Sequence, residues 1–398
     1  MTLTLLLDLD DTLLENNMDT FLPAYLKGLS ARLASLVEPG RMVKALLAAT
    51  SVMSANTSPA QTLEQTFDAA FYPALDVDKE TLRPLLEAYY AEDFPHLQSL
   101  TRPHPQAQAL VEKALRAGFG VGIATNPLFP RTAIEQRVAW AGLAGYPFAL
   151  IPSYETFHFA KPNPAFLTEF LGQMGWPEGP VLMVGDSLEH DYAAARGAGI
   201  SMYWVGQNAH AAEARTDIRL QGRLNDLIAW LDSREWEDLL PNFSAPQALQ
   251  ANLRATPAAL ASLAGGISTA AWDQRPPAKG WNLTEIACHL RDAEREVNLP
   301  RLRKILSDDA PFLPGMDTDA WVSERQYASQ DGPAALQAFI QARSQTLALL
   351  DALPADAWQL QARHAILGPT SLLEMAGVIN RHDQIHIRQA KEALCPLP

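Results

Sequence analysis

Leu3-Thr4-Leu5-Leu6-Leu7-Asp8-Leu9-Asp10-Asp11-Thr12 is the stretch that decides the fold of the first half. The run from Leu3 to Leu7 is apolar apart from Thr4, which predicts a strand covered on both faces, as in a parallel sheet. It ends in two carboxylates two residues apart, with a hydroxyl two further on. Alternation along an extended chain puts residues i and i+2 on one side, so Asp8 and Asp10 can address one site. Open α/β sheets keep their chemistry at such carboxyl ends of strands. Taken alone, the same residues also suit a simple helix cap by Asp10 or Asp11.

Downstream, apolar residues at helical spacing (Phe21, Tyr25, Leu26, Leu29, Leu33, then Leu82, Leu85, Leu86, Tyr89) occupy about residues 15–102. That is too long for a loop and predicts a helical cap inserted after the first strand. A helix over 106–117 then leads through Gly118 and Gly120 into a strand ending Thr125-Asn126-Pro127. A helix from Arg131 to Trp140 precedes a short strand, Phe148 to Ile151. Lys161-Pro162 falls in a loop, and Asn163-Pro164 opens the next helix. Val181-Leu182-Met183-Val184 ends in Gly185-Asp186-Ser187, with Asp191 one turn further on, and Ser201 to Val205 forms the last strand. Strands alternating with helices predict a parallel, doubly wound sheet.

In such a sheet Asp8, Asp10, Thr125, Lys161, Asp186 and Asp191 all lie at strand carboxyl ends or just beyond, so they converge. Four carboxylates against one lysine repel in a partly desolvated pocket. A divalent cation resolves the repulsion, and oxygen-only ligands favour a hard ion such as Mg²⁺. The set suits phosphoryl transfer, with the metal and Lys161 sharing the phosphate charge and Thr125 donating a hydrogen bond.

These residues resemble the haloacid dehalogenase (HAD) superfamily over roughly residues 1–210. Asp8-Leu9-Asp10-Asp11-Thr12 stands as its first motif, Thr125 as its second, Lys161 as its third and Gly185-Asp186-Ser187…Asp191 as its fourth. The resemblance implies a Rossmann-like sheet, with Asp8 as the nucleophile that forms an aspartyl-phosphate. Asp10 would protonate the leaving oxygen and then activate water. Mg²⁺ would be held by Asp8, the backbone carbonyl of Asp10 and Asp186, with Asp191 supporting it through water or through Lys161. The family's dehalogenases lack an acid two residues after the nucleophile. Asp10 is present, so the reading is a phosphatase, with a phosphomutase as the lesser reading. Caps between the first and second motifs usually go with small soluble substrates. His104, His158 and His190 are read as surface or packing residues.

The second half has a different pattern. Residues 233–244 read as a linker, with Trp236 and Leu239-Leu240 able to dock on either neighbour. Helical runs cover about Ala245 to Leu263, Leu283 to Leu306, Pro333 to Leu353 and Ser371 to Ala393, with no strand among them, which predicts a four-helix bundle. Asn282 and Glu285 form a capping-box signal for the second helix. His382 and His386, at i and i+4, share one helix face, and His289 lies on the second helix. Two imidazoles from one helix and one from another suffice for a metal site with an open position, although packing explains a spaced histidine pair equally simply.

Trp281-Asn282-Leu283-Thr284-Glu285-Ile286…His289-Leu290-Arg291-Asp292 and His382-Asp383-Gln384-Ile385-His386 resemble the DinB-like, YfiT-type family over about residues 245–395. The resemblance implies His289, His382 and His386 as ligands of a divalent transition metal, Zn²⁺ or Ni²⁺. Asp292 and Asp383 are read as orienting imidazoles or as exposed helix residues, Cys288 as packing, and His364 as an uncommitted extra candidate.

The resulting expectation is an α/β plus all-α chain. Residues 1–232 form the hydrolase with its cap, 233–244 the linker and 245–398 the bundle. The expected activity is hydrolysis of a small phosphate ester. Two alternatives remain open for the bundle: a metal-dependent transferase or hydrolase acting on a thiol or amide, or a binding or dimerisation module giving a homodimer. At 398 residues with 48% hydrophobic and 19% charged residues, composition indicates two or three globular domains. A net charge of −14 argues against nucleic-acid binding through a broad basic surface. No apolar run nears the roughly 18 residues that span a bilayer. The start carries no secretory pattern. Two cysteines, Cys288 and Cys395, suit a reducing, cytoplasmic setting rather than a disulfide framework.

Overall fold

A computed structural model describes residues 2–206, 218–276 and 280–394; Cys395 lies outside them. The chain enters through β1 (Thr4–Leu7), every residue of it buried, followed by β2 (Leu14–Asn16). The cap comprises α1 (Met18–Leu33), α2 (Pro39–Ser54), α3 (Leu63–Leu75) and α4 (Lys79–Ala88), and β3 (Thr101–Pro103) closes it by pairing antiparallel with β2. α5 (Ala107–Arg116) leads to β4 (Gly120–Ile123), α6 (Arg131–Trp140) and α7 (Ala165–Gln173). β5 (Val181–Gly185), α8 (Ala193–Ala198), β6 (Ser201–Val205), β7 (Leu220–Gly222) and α9 (Leu224–Trp230) complete this half.

The five-stranded sheet is parallel, in the order β4-β1-β5-β6-β7. β1 sits between β4 and β5, with Leu7 opposite Ile123 on one side and Val184 on the other. The strand expected at 148–151 is instead an extended segment. It exchanges only two bonds with β4, Ala149 N–H to Val121 O at 2.8 Å and Ile123 N–H to Leu150 O at 3.0 Å. The cap is also fastened away from its base, because Leu63 N–H donates to Phe157 O at 2.7 Å and Glu64 N–H to Tyr154 O at 2.8 Å.

The second half holds α10 (Pro246–Leu263), short α11 (Thr269–Trp272), α12 (Leu283–Ala293), α13 (Leu299–Ser307), short α14 (Trp321–Glu324), α15 (Gly332–Asp351) and α16 (Leu372–Leu394). One wide turn, Glu294–Asn298, joins α12 to α13, so the second expected helical run is present as two stacked segments. The Asn282–Glu285 capping box opens α12, with Glu285 N–H to Asn282 Oδ1 at 2.8 Å and Asn282 N–H to Glu285 Oε2 at 3.0 Å. One expectation fails here. β8 (Phe312–Leu313), β9 (Gln361–His364) and β10 (Gly368–Ser371) form a small sheet where only helices and loops were read. Strands of two to four residues give too little alternation to register.

The two halves share a core. Every residue of α7 is buried, because one side faces the sheet and the other faces α10. A Cβ on Gly172 would lie 2.7 Å from the Ala259 Cβ, so glycine lets these helices approach closely. Thr168 Oγ1 donates to Ala251 O at 3.0 Å, and Ser262 Oγ to Thr156 O at 2.7 Å. The segment read as a linker is docked: Trp236 is buried, Val181 N–H donates to Leu239 O at 3.0 Å, and Phe243 packs on Trp176.

Residues 1–235 alone therefore expose the α10-facing side of α7. An apolar face so uncovered favours association. The expected result is a fragment that aggregates or lacks a cooperative thermal transition. A fragment melting cooperatively at the temperature of the full chain would refute the shared core.

Candidate functional site

β1 delivers Asp8 between β4 and β5, where three strand ends meet. Asp8 is buried, and Lys161, 3% exposed, donates to Asp8 Oδ1 at 2.6 Å and to Asp191 Oδ1 at 2.5 Å. The second Asp191 oxygen accepts from Ser187 N–H at 3.1 Å. Glycine at 185 makes room for it, since a Cβ there would collide with the Asp191 carboxylate. Thr125 lies buried just beyond the end of β4. Asp8, Asp186 and Asp191 each present an oxygen within 4.8 Å of the others.

Burial, with Asp191 and Asp10 nearby, lifts Asp8 well above the carboxylate range despite Lys161. Burial, then Asp191 and Asp11, lift Asp186 to about 7. Burial alone would lower Lys161, but Asp191 and Asp8 outweigh it and keep the ammonium charged. Were all three carboxylates ionised, one ammonium would leave two negative charges unbalanced, and the upward shifts of Asp8 and Asp186 express that repulsion. A hard divalent cation with oxygen ligands supplies that balance, so the donor set fits one.

Asp10 stands apart from this cluster. Its Oδ1 pairs with the Arg137 guanidinium on α6 and accepts from Asn16 Nδ2 at 3.0 Å on β2. Arg137 is buried between the rings of Phe21 and Phe129, whose centroids lie 5.7 and 5.3 Å from its guanidinium carbon. Sequence reading missed Arg137, because one arginine on a helix carries no spacing signal. Beside the carboxylates opens a polar mouth of about 900 Å³ that includes Asp11, Asn16, Arg102, His104 and Asp186.

A second cluster lies in the bundle. The Nε2 of His382 is 2.9 Å from that of His289 and 3.2 Å from that of His386. Burial and then His382 lower His289 to about 4; burial, His382 and His289 hold His386 far below the imidazole range. His386 Nδ1 lies 2.8 Å from Gln389 Oε1, which can only accept, so Nδ1 carries the proton and Nε2 presents its lone pair to the cluster. Trp281 stacks on His386 at 5.3 Å and covers one side. Converging imidazole nitrogens fit a divalent transition metal.

The other residues named from sequence fall elsewhere. His158 pairs with buried Glu169 at 2.7 Å, and His190 accompanies Ser187 at the surface. His364 ends β9, where its Nδ1 accepts from Ile366 N–H at 3.3 Å. Buried Cys288 points to Gln330. Asp292 and Asp383 are neither exposed nor imidazole partners. Asp292 is taken by Arg291, Arg325 and Tyr327, and Asp383 by Arg343; the 3.9 Å from Asp383 to His382 Nδ1 is too long for a hydrogen bond.

Residues 2–199 match the haloacid dehalogenase-like hydrolase family, and residues 252–390 match the DinB superfamily. The chain thus joins a HAD-like hydrolase domain to a DinB-like four-helix domain. Among curated relatives, the first domain is 32% identical over 138 residues to phosphoglycolate phosphatase of Mesorhizobium japonicum, covering 34% of this chain and 58% of that protein. It is 31% identical over 143 residues to phosphoserine phosphatase of Thermus thermophilus, covering 35% and 54%. The chain spans about half the length of the curated relatives it matches. YfiT from Bacillus subtilis, a four-helix bundle of unusual topology, aligns at 20% identity and a TM-score of 0.34, over 37% of this chain and 85% of its own. Among the described residues no helix is long and apolar enough to cross a membrane.

Proposed function

We infer that the first half is a cytoplasmic, Mg²⁺-dependent phosphatase acting on a small phosphomonoester through Asp8. The carrying observation is Lys161 bridging Asp8 and Asp191 beside Asp186, with Asp10 two residues from Asp8 and outside that cluster. Asp8, Asp186 and the Asp10 backbone carbonyl would hold Mg²⁺, with Asp191 in support, and the ion would supply charge stabilisation to the phosphoryl group. The Asp8 carboxylate attacks phosphorus and forms an aspartyl-phosphate as the alcohol leaves. Lys161 and Thr125 hold the phosphoryl oxygens. Asp10 gives its proton to the leaving oxygen and then takes one from the water that attacks phosphorus, which returns Asp8 and releases phosphate. Phosphate release from p-nitrophenyl phosphate should require Mg²⁺ and stop with chelator; equal release without any divalent ion would overturn the reading.

Arg137 positions Asp10 for both proton steps. Arg137→Met leaves the carboxylate without its buried partner, and kcat for alkyl phosphates should fall by about 10- to 100-fold, within the usual worth of acid–base catalysis. The p-nitrophenyl ester, whose leaving group needs no proton, should lose less. An equal loss for both esters would assign Arg137 a merely structural role.

The converging imidazoles favour a second reading for the bundle: a divalent-metal centre, Zn²⁺ or Ni²⁺, able to serve a metal-dependent transferase or hydrolase acting on a thiol or amide. Titrating Zn²⁺ or Ni²⁺ into chelator-treated protein should raise its melting temperature, by about 2.7 kcal/mol of stabilisation at 100 times Kd. His382→Ala should abolish the rise. A rise that survives the substitution would exclude this cluster.

A further inference from the structure

Behind the polar mouth, the cap and α6 enclose a second cavity of about 730 Å³, a volume typical of small-molecule sites. Its wall is mainly apolar: Leu22, Tyr25, Leu26, Phe67, Tyr90 and Phe129 form much of it. Two residues, Met18 and Phe129, stand between it and the site. Met18 lines both this chamber and the mouth that holds Asp11 and Asp186. Phe129 packs on the guanidinium of Arg137, which is the partner of Asp10, and on Tyr25 with ring centroids 5.4 Å apart.

Most polar groups of the chamber wall are already partnered. Tyr25 and Tyr90 hydroxyls meet at 2.9 Å, Lys79 binds Glu64 and Asp68, and Arg83 pairs with Glu80. Gln136 differs. Its amide nitrogen donates to Tyr90 O at 2.7 Å, while its Oε1 is buried without a partner. Lys79 and Arg83 are both taken, so the short carboxylate of a small polar ester would find no free cation here, while Glu155, met among the described residues only by Arg131 N–H, is left to face a positive group. A ring or branched alkyl group would cover the apolar wall instead.

We propose that this chamber receives the organic group of the ester, so that the substrate is the phosphate monoester of an apolar aryl or branched-alkyl alcohol. The inference rests on the phosphatase reading above. It requires a continuous path past Met18, with phosphate at Asp8 and the apolar group beneath the cap.

The test compares kcat/KM of the full chain for naphthylmethyl and phenylpropyl phosphates with that for phosphoglycolate and phosphoserine. In parallel, naphthylmethyl phosphate is titrated calorimetrically into Asp8→Asn protein, with and without Leu26→Gln. The apolar esters should be preferred by about 100-fold or more, and Leu26→Gln should cut that preference by about 10-fold and weaken binding alike. Equal or better turnover of the small polar esters would overturn the inference and leave the phosphatase intact. If no ester is hydrolysed but the naphthyl compound binds and Leu26→Gln weakens it, the chamber stands and the phosphatase reading falls. Neither turnover nor binding would overturn both.

Discussion

Asp8→Asn is expected to lower kcat by about 10⁴-fold or more, the scale of loss when a covalent nucleophile is removed. The substitution changes almost no volume, and Lys161 keeps its 2.5 Å bond to Asp191. Stability should not fall with activity. Burial and neighbouring carboxylates already disfavour a charge on Asp8, so a neutral amide relieves repulsion around Asp186 and Asp191. The paired readout is phosphate release with a thermal melt on the same sample. Turnover within tenfold of the parent would contradict the covalent route, whereas a melt lowered along with activity would show that the loss came from unfolding.

The second large effect concerns Arg343, which is fully buried on α15. Its guanidinium binds Glu294 through Nε at 2.9 Å and Nη2 at 2.8 Å, Asp383 through Nη1 at 2.6 Å, and the Leu253 carbonyl at 3.0 Å. One side chain therefore ties together α10, the turn after α12, α15 and α16. Burial would raise Asp383, but Arg343 outweighs it and brings that carboxyl down to about 2. Arg343→Ala strands two buried carboxylates and should destabilise the chain by about 3–5 kcal/mol, the usual consequence of removing one partner of a buried ion pair. Replacing Arg343, Glu294 and Asp383 together with apolar residues of similar volume should recover most of the loss. Urea denaturation separates the cases: a single-variant loss below about 1 kcal/mol, the range of exposed pairs, would mean the network is hydrated rather than buried.

How much of this was legible in the sequence depends on the range of the signal. The run Leu3–Leu7 and the carboxylates after it announce a buried strand ending in chemistry, because strand period and burial are local. The cap was legible as a long helical insertion, and the bundle as four amphipathic runs. His382 and His386 were legible because i and i+4 share a helix face. Arg343 with Glu294 and Asp383 was not. Each residue looks like an ordinary solvated helix charge, and its partners stand 49 and 40 positions away. Arg137 was hidden for the same reason, with Asp10 on another element. The shared core left little trace in α7: Ala165, Phe166, Leu167, Phe170 and Leu171 span about two thirds of the helix circumference, and the remaining side, which meets α10, carries Thr168 and Gly172.

The sheet edge shows the limit of pattern. Phe148–Ile151 carries apolar residues suited to a strand, yet it lies beside β4 with two bonds and no ladder. The small sheet β8–β10 shows the converse, because Gly368-Pro369-Thr370, a sequence that suits the entry to a helix, stands in a strand.

The central claim is that Asp8 carries the phosphoryl group. The most direct measurement is acid quenching of the full chain during turnover of a phosphate ester with Mg²⁺, followed by mass analysis of the peptide containing Asp8. The account predicts that this peptide gains one phosphoryl group on Asp8 and that the gain disappears in Asp8→Asn. Steady turnover with an unmodified Asp8 peptide, or with the phosphoryl group on another residue, would contradict it.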